Sequence, residues 1–179
     1  NSLQTIVSRQ IDITQHPAVV TVGSFTAGVR NNIVPETATL SGTIRTFDAG
    51  VRSSIHKKIR AIAEQTATAM GAVATVEIDP GVPVTFNDPL LTRQMVPTLE
   101  RIYGEQSVFE SPRVTGAEDF SFYQEQVPGF FFFIGGRPPE LTAAQAIPNH
   151  SPFFYVDEAA FAPAVQAMTQ LAIDYLHAG

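Results

Sequence analysis

The stretch Asn31-Asn32-Ile33-Val34-Pro35-Glu36-Thr37-Ala38-Thr39-Leu40-Ser41-Gly42-Thr43-Ile44-Arg45-Thr46-Phe47 decides how the chain is read. A polar amide pair precedes a proline-containing turn, and an alternating segment follows it. From Ala38 onward Leu40 and Ile44 fall on one face of a strand, while Thr39, Thr43 and Arg45 fall on the other. A strand that buries one face and presents an arginine on the other can act as a rigid carboxylate clamp. Taken by itself, Arg45 also fits an ordinary half-exposed strand on which it is simply solvated.

Upstream, Ala18-Val19-Val20-Thr21-Val22-Gly23-Ser24 reads as a β-branched strand, and Leu3 to Arg9 as the closing turns of a helix ending before His16-Pro17. Downstream, Asp48 is placed to cap a long helix in which Val51, Ile55, Ile59, Ile62, Thr66 and Ala69 recur at spacings of three and four, with Gly71 as its stop. Ala74, Val76 and Ile78 then alternate, which predicts a further strand over residues 73–78. The order helix, strand, strand, helix, strand is that of a ferredoxin-like sandwich lacking its first strand and part of its first helix. The fold class expected for this part is α+β, an antiparallel sheet with helices on one face.

Composition shifts at Asp79-Pro80-Gly81 and again at Asn87-Asp88-Pro89, which sets a boundary near residue 87 and two units, 1–87 and 88–179. Asp88 as cap and Pro89 as first helical residue begin a helix carrying Leu91, Met95, Leu99 and Ile102. Gly104 closes it, and Pro97 is expected to bend it. Gly129-Phe130-Phe131-Phe132-Phe133-Ile134-Gly135 has no polar position, as expected of a strand covered on both faces of an α/β sheet. A Pro-rich loop at 136–149 and a helix from Phe161 to Leu176 follow, with Pro163 leaving the start of that helix open. The second unit has too few strands for a whole α/β domain and is expected to complete a sheet begun upstream.

The 179 residues are 44% hydrophobic and only 16% charged, so part of the surface is expected to be covered by more protein. A formal net charge of −6 argues against nucleic-acid binding, which needs clustered Lys and Arg. No apolar run approaches a membrane span. The lack of cysteine removes disulfide and thiolate chemistry and fits a cytoplasmic protein. The chain opens at Asn1 without Met, so the natural N-terminus is expected upstream.

Of four histidines, His16, His56 and His177 read as structural. His150, in Asn149-His150-Ser151-Pro152, follows the loop leaving the C-terminal edge of the buried strand, where open α/β sheets bind ligands. One histidine is nevertheless not a metal site. Glu118 and Asp119, in Gly116-Ala117-Glu118-Asp119-Phe120, suit either helix capping or the orientation of a ligand in a cleft. There is no His-Glu-x-x-His helix, Gly-x-Ser-x-Gly elbow or phosphate-binding glycine loop, and the chain holds no complete catalytic constellation.

Six motifs in order across nearly the whole chain carry a resemblance: Thr5-Ile6-Val7-Ser8-Arg9, Ala18 to Gly23, Asn32-Ile33-Val34-Pro35, Gly42 to Phe47, Gly116 to Phe120, and His150-Ser151-Pro152. The chain resembles the C-terminal half of the amidohydrolase branch of the zinc metallopeptidases, the group of hippurate hydrolase, N-acyl-amino-acid hydrolases and auxin-conjugate hydrolases. That resemblance implies a lid and dimerisation domain over residues 1–87, and over 88–179 the C-terminal portion of an α/β di-metal hydrolase domain. It implies His150 as a metal ligand, Asn32 and Arg45 as lid residues gripping the substrate's carbonyl and carboxylate, and Gly116 and Glu118 as cleft-lining positions. It further implies two divalent ions, zinc or manganese, a small N-acyl amino acid as substrate, and a homo-oligomer formed through the lid.

In that family the other metal ligands, the glutamate general base and the lid-opening histidine belong upstream of Asn1. An N-terminal catalytic half is therefore the implied partner, and the chain alone is expected to be inactive. A non-catalytic interaction fragment and a peptidase of the same family are the competing readings. Arg30 departs from the small residues expected before Asn32, and is expected to narrow the cleft or favour acidic substrates. Arg30→Ala is accordingly predicted to change the preference among acyl-amino acids in kcat/KM comparisons, and an unchanged preference would remove Arg30 from the specificity determinants.

Overall fold

The computed structural model describes residues 1–178. The chain divides into two compact units, Asn1–Val84 with Val114–Ser121, and Thr85–Arg113 with the chain from Phe122 onward.

In the first unit, β1 (Ala18–Ala27) pairs antiparallel with β2 (Ala38–Thr46). Two helices lie on one face of this α+β unit. They are α1 (Thr5–Gln10), preceded by a 3₁₀ turn at Ser2–Gln4, and α2 (Ala49–Ala69). Ile6 of α1, Val20 of β1 and Ile55 of α2 are the buried centre, with Ala18, Ile44, Val51, Ile59 and Ile62 packed around them. Complete burial of Ile6 and of Ile55 contributes roughly 1.5–3 kcal/mol each. The helix forms where the sequence predicts: Asp48 is extended and its Oδ1 accepts from the Val51 N–H at 2.7 Å. It ends where Gly71 turns left-handed (φ 72°) and the Ala72 N–H reaches back to the Ala67 carbonyl at 2.9 Å.

The strand pairing contains one irregularity. Val22 opposes Gly42 and Ser24 opposes Ser41, so Gly23 is an extra residue in β1. A strand of period two would otherwise put Phe25 on the same side as Val19. The bulge instead carries Phe25 across to pair with Leu40 on the helix side. Gly42 makes room for it: a Cβ added there would lie 1.9 Å from the Thr21 carbonyl oxygen.

The expected strand at 73–78 has no ladder partner among the described residues. The alternation itself is present, since Ala74, Val76 and Ile78 are half-buried between exposed neighbours. The carbonyl of Val76 is taken by the Arg60 guanidinium, and that of Val82 by Arg52 Nη1 at 3.0 Å. Periodicity specifies which side is covered, whereas a strand also needs a neighbouring edge.

In the second unit, α3 (Pro89–Tyr103) packs on α5 (Phe161–His177) around buried Met95, Leu99 and Ala167. Asp88 caps α3 through its Oδ1, accepting from the N–H groups of Leu90 and Leu91 at 2.9 and 2.8 Å. The helix continues through Pro97 to Gly104 (φ 84°). Pro163 lies in the first turn of α5, where its missing N–H would have no helical partner. The expected strand at 129–135 also forms no ladder. It is nevertheless extended in character, because Phe130 stacks on Phe132 (5.5 Å between centroids) and Phe131 meets Phe133 edge-on (5.2 Å). The Asn87 amide substitutes for a strand neighbour: its Nδ2 donates to the Phe131 carbonyl and its Oδ1 accepts from the Phe131 N–H, both at 2.7 Å. No helix among the described residues is long and apolar enough to cross a membrane.

The α3–α5 pair is pinned by Asp174, whose carboxylate accepts from the buried Thr98 hydroxyl, from Gln170 Nε2 at 2.8 Å and from the Arg101 guanidinium. These bonds, Thr98 first, hold Asp174 at a pKa of about 2, below its ordinary 3.8. A depressed carboxylate pKa stabilises the fold above the unfolded value, and that contribution is lost as pH falls from 3.8 through about 2. Asp174→Asn is therefore expected to flatten the acid-side stability loss in this window, measured by urea melts between pH 5 and pH 2. A curve of unchanged steepness would exclude Asp174 as a contributor. Gly42→Ala is expected to destabilise the first unit by about 1–3 kcal/mol, since the Thr21 carbonyl is backbone and cannot rotate away. A wild-type urea midpoint would contradict the close approach.

Candidate functional site

Arg45 lies on β2 directly opposite Val19 of β1, on the face away from α1 and α2. Its side chain is exposed, and its Nη1 donates to the backbone carbonyl of Thr115 across seventy residues of sequence. Thr115 immediately precedes Gly116, so the first unit brings two of the sequence-predicted positions, Arg45 and Gly116, to one place. No carboxylate pairs with Arg45 among the described residues. Of its five N–H donors one is committed to Thr115, which leaves a fork able to receive a carboxylate in two-point geometry.

Glu118 lies in the same short segment and is half-buried. Its carbonyl accepts from Ser121 twice, from the N–H at 3.2 Å and from the hydroxyl at 2.6 Å. Ser121 is fully buried, so this turn is anchored from below as the chain enters α4 (Phe120–Gln124). Ser121 thus ties the helix entrance to the Glu118 backbone carbonyl. Gly116 is exposed, with open space where a side chain would stand.

Asn32 is placed elsewhere. It occupies the β1–β2 connection, in a turn where the Ile33 N–H points back to the Arg30 carbonyl at 3.5 Å. β2 begins at Ala38 on the side of that connection, and Arg45 is seven residues further along it. At about 3.4 Å per residue Ala38, at the start of β2, and Arg45 are roughly 24 Å apart along the strand. An N-acyl amino acid is about two residues long, or roughly 7 Å extended. Asn32 thus stands in the connection beyond one end of β2, and Arg45 near the other end of that strand.

His150 belongs to the second unit. It is exposed, in a reverse turn closed by the Ser151 N–H on the Pro148 carbonyl at 3.0 Å. Ser151 Oγ accepts from the Phe153 N–H at 3.2 Å and stiffens the exit from the turn. His150 can offer one imidazole nitrogen to a metal, but among the described residues no three His, Cys, Asp or Glu side chains come together as a metal centre. The other histidines have structural surroundings. His56 sits on α2 and has its pKa lowered by burial, then by Arg52 and Arg60. His16 lies 3.9 Å from Asp48 at the base of the sheet.

Sequence reasoning missed Thr115. Its contribution is a backbone carbonyl, which every residue has, and only the neighbouring Gly116-Ala117-Glu118 run pointed to the segment at all.

The profile of peptidase family M20/M25/M40 matches residues 9–174. The chain belongs to this family. Among M20 relatives, thermostable carboxypeptidase 2 of Saccharolobus solfataricus is 35% identical over 98% of this chain and 43% of its own length. N-acetylcysteine deacetylase of Bacillus subtilis is 34% identical over 97% of this chain and 43% of its own length. The crystal structure of the Bacillus subtilis YXEP protein, a dinuclear metal-binding peptidase from the M20 family, superposes with a TM-score of 0.71 at 28% identity, over 98% of this chain and 45% of that one. The chain thus spans less than half the length of these M20 proteins.

Proposed function

We propose that this chain is the lid and the C-terminal return of a metal-dependent amidohydrolase that cleaves N-acyl amino acids, with residues 1–87 as lid and 88–179 as return. The observation that carries the reading is Arg45, an exposed guanidinium with no carboxylate partner among the described residues, held against the Gly116 segment by the Thr115 carbonyl. A carboxypeptidase and a deacetylase of an N-acetyl amino acid, the named relatives, both act on an amide close to a free carboxylate. An arginine fork is the side chain best matched to that group.

In this reading Arg45 fixes the carboxylate end of the substrate, so that the acyl amide is presented in one orientation. Gly116 allows the substrate backbone to approach closely, and Glu118 borders the same segment. His150, as neutral imidazole, supplies one metal donor, and the remaining donors and the general base come from protein outside this chain. Two divalent ions, zinc or manganese, would when bound polarise the amide carbonyl and acidify a water. By itself the chain contributes one donor and is expected to be inactive.

Asn32 enters through a second copy. It lies in the connection beyond the end of β2 away from Arg45, and in this reading it serves the carbonyl of a substrate held by the other protomer. Self-association through the lid is part of this reading, as the family resemblance implies. A cytoplasmic location is the reading favoured by the absence of cysteine.

Kinetics of the assembled enzyme test this. Arg45→Ala is expected to raise KM for N-acyl amino acids by about 10- to 100-fold, the loss of a two-point charged contact. Amides lacking the carboxylate should be affected far less. Mixing Arg45→Ala and Asn32→Ala protomers should restore part of the activity, since each mixed pair keeps one intact site. Equal damage to substrates with and without a carboxylate, or no hydrolysis of any N-acyl amino acid by the wild type, would overturn the reading.

A further inference from the structure

We infer that the depression beside Arg45 is the pocket for the amino-acid side chain of the substrate, and that the preferred substrates are N-acyl derivatives of branched aliphatic or aromatic amino acids. The inference rests on the reading of Arg45 as the carboxylate clamp. The depression has a volume of about 260 Å³ and is lined by Val7, Ile13, Pro17, Ala18, Val19 and Thr115. All six belong to the first unit, and five have apolar side chains.

Two independent contacts tie this space to Arg45. Val19 is the cross-strand neighbour of Arg45, which puts their side chains side by side on one face of the sheet. Thr115, another wall residue, has its carbonyl held by the Arg45 guanidinium. The charge therefore stands beside the Val19 and Thr115 walls, while Val7 and Ala18 close the space from the helix side of the sheet. In an N-acyl amino acid the carboxylate and the side chain leave the same carbon atom. A carboxylate on Arg45 consequently directs its own side chain towards these walls rather than to a distant part of the protein.

The size and polarity of the space select among side chains. A glycine derivative would leave it filled with water against Val7, Ile13 and Val19, whereas a leucine or phenylalanine derivative would replace that water with apolar contact. A basic side chain would lose hydration and meet the Arg45 charge at the rim, since among the described residues that line the space none is titratable. Apolar pockets discriminate by about 10- to 100-fold for such differences in side-chain size.

Binding to the 179-residue chain tests the inference without requiring hydrolysis. Methyl-labelled protein is titrated with N-acetyl-L-leucine, N-acetylglycine and N-acetyl-L-leucinamide and followed by NMR. The leucine derivative is expected to shift the methyl signals of Val7, Ile13 and Val19, and to saturate at a concentration about tenfold or more below the glycine derivative. The leucinamide, which lacks the carboxylate, should bind more weakly than N-acetyl-L-leucine. Val19→Phe fills the space from an exposed strand position where an aromatic residue is well tolerated, and should reduce the leucine-over-glycine preference at least about tenfold. Ile13→Phe, from an exposed loop position, is the second variant should the strand not accept the ring.

Equal binding of the leucine and glycine derivatives, or shifts confined to other methyl groups, would overturn the assignment. The outcome separates from that of the hydrolase reading. Leucine-selective binding in the chain, with no turnover by the assembled enzyme, would remove the activity and keep the pocket. Turnover with equal KM for glycine and leucine substrates would keep the activity and remove the pocket.

Discussion

The pairing of β1 with β2, and within it the close approach of Gly42 to the Thr21 backbone, is the constraint on which the first unit depends. The extra residue Gly23 changes the phase of β1, and only a residue without a side chain at position 42 leaves room for the displaced carbonyl. Two consequences follow on opposite faces. On the helix side Val20 and Ile44 stay together over Ile6 and Ile55, and Phe25 is brought round to Leu40. On the other side Val19 and Arg45 stand next to each other, which sets the arginine beside the Gly116 segment rather than in the core. A slip of one residue would exchange the two faces and place a guanidinium against Ile55.

The second unit is organised by polar side chains that stand in for absent backbone partners. Asn87 offers the Phe131 peptide both a donor and an acceptor, the pattern that a neighbouring strand would supply. Asp174 collects Thr98, Arg101 and Gln170, and so fixes the rotation of α5 on α3. Hydrophobic contact between Met95, Leu99 and Ala167 is non-directional, so these hydrogen bonds supply the register that apolar packing leaves loose. The turn bearing His150 is built largely from backbone and Ser151, and it leaves His150 exposed.

Much of the architecture could be read from residue patterns because the signals are local. Asp48 and Asp88 cap the helices assigned to them, Gly71 and Gly104 end them, and the faces of β2 follow simple alternation. The extended segments at 73–78 and 129–135 show where local signals stop. Both have the alternation or apolar run of a strand, yet strand identity depends on a hydrogen-bonded neighbour, and there the carbonyls turn to Arg60 and the peptide of Phe131 to Asn87. Segment 114–121 is a second case, since it clusters with the first unit although it lies well beyond residue 87 in the chain.

The sequence by itself determined the helix boundaries, the hairpin, the outward direction of Arg45 and the ordered motifs that resemble one hydrolase family. These depend on residue type and on spacings within one element, which a linear chain displays directly. Tertiary structure alone decided that Arg45 meets the Thr115 carbonyl and that the space beside it is walled by Val7, Ile13 and Val19. The physical reason is that these are distances between backbone positions far apart in the chain. A carbonyl has no sequence signature, and neither has the space that residues distant in the chain enclose.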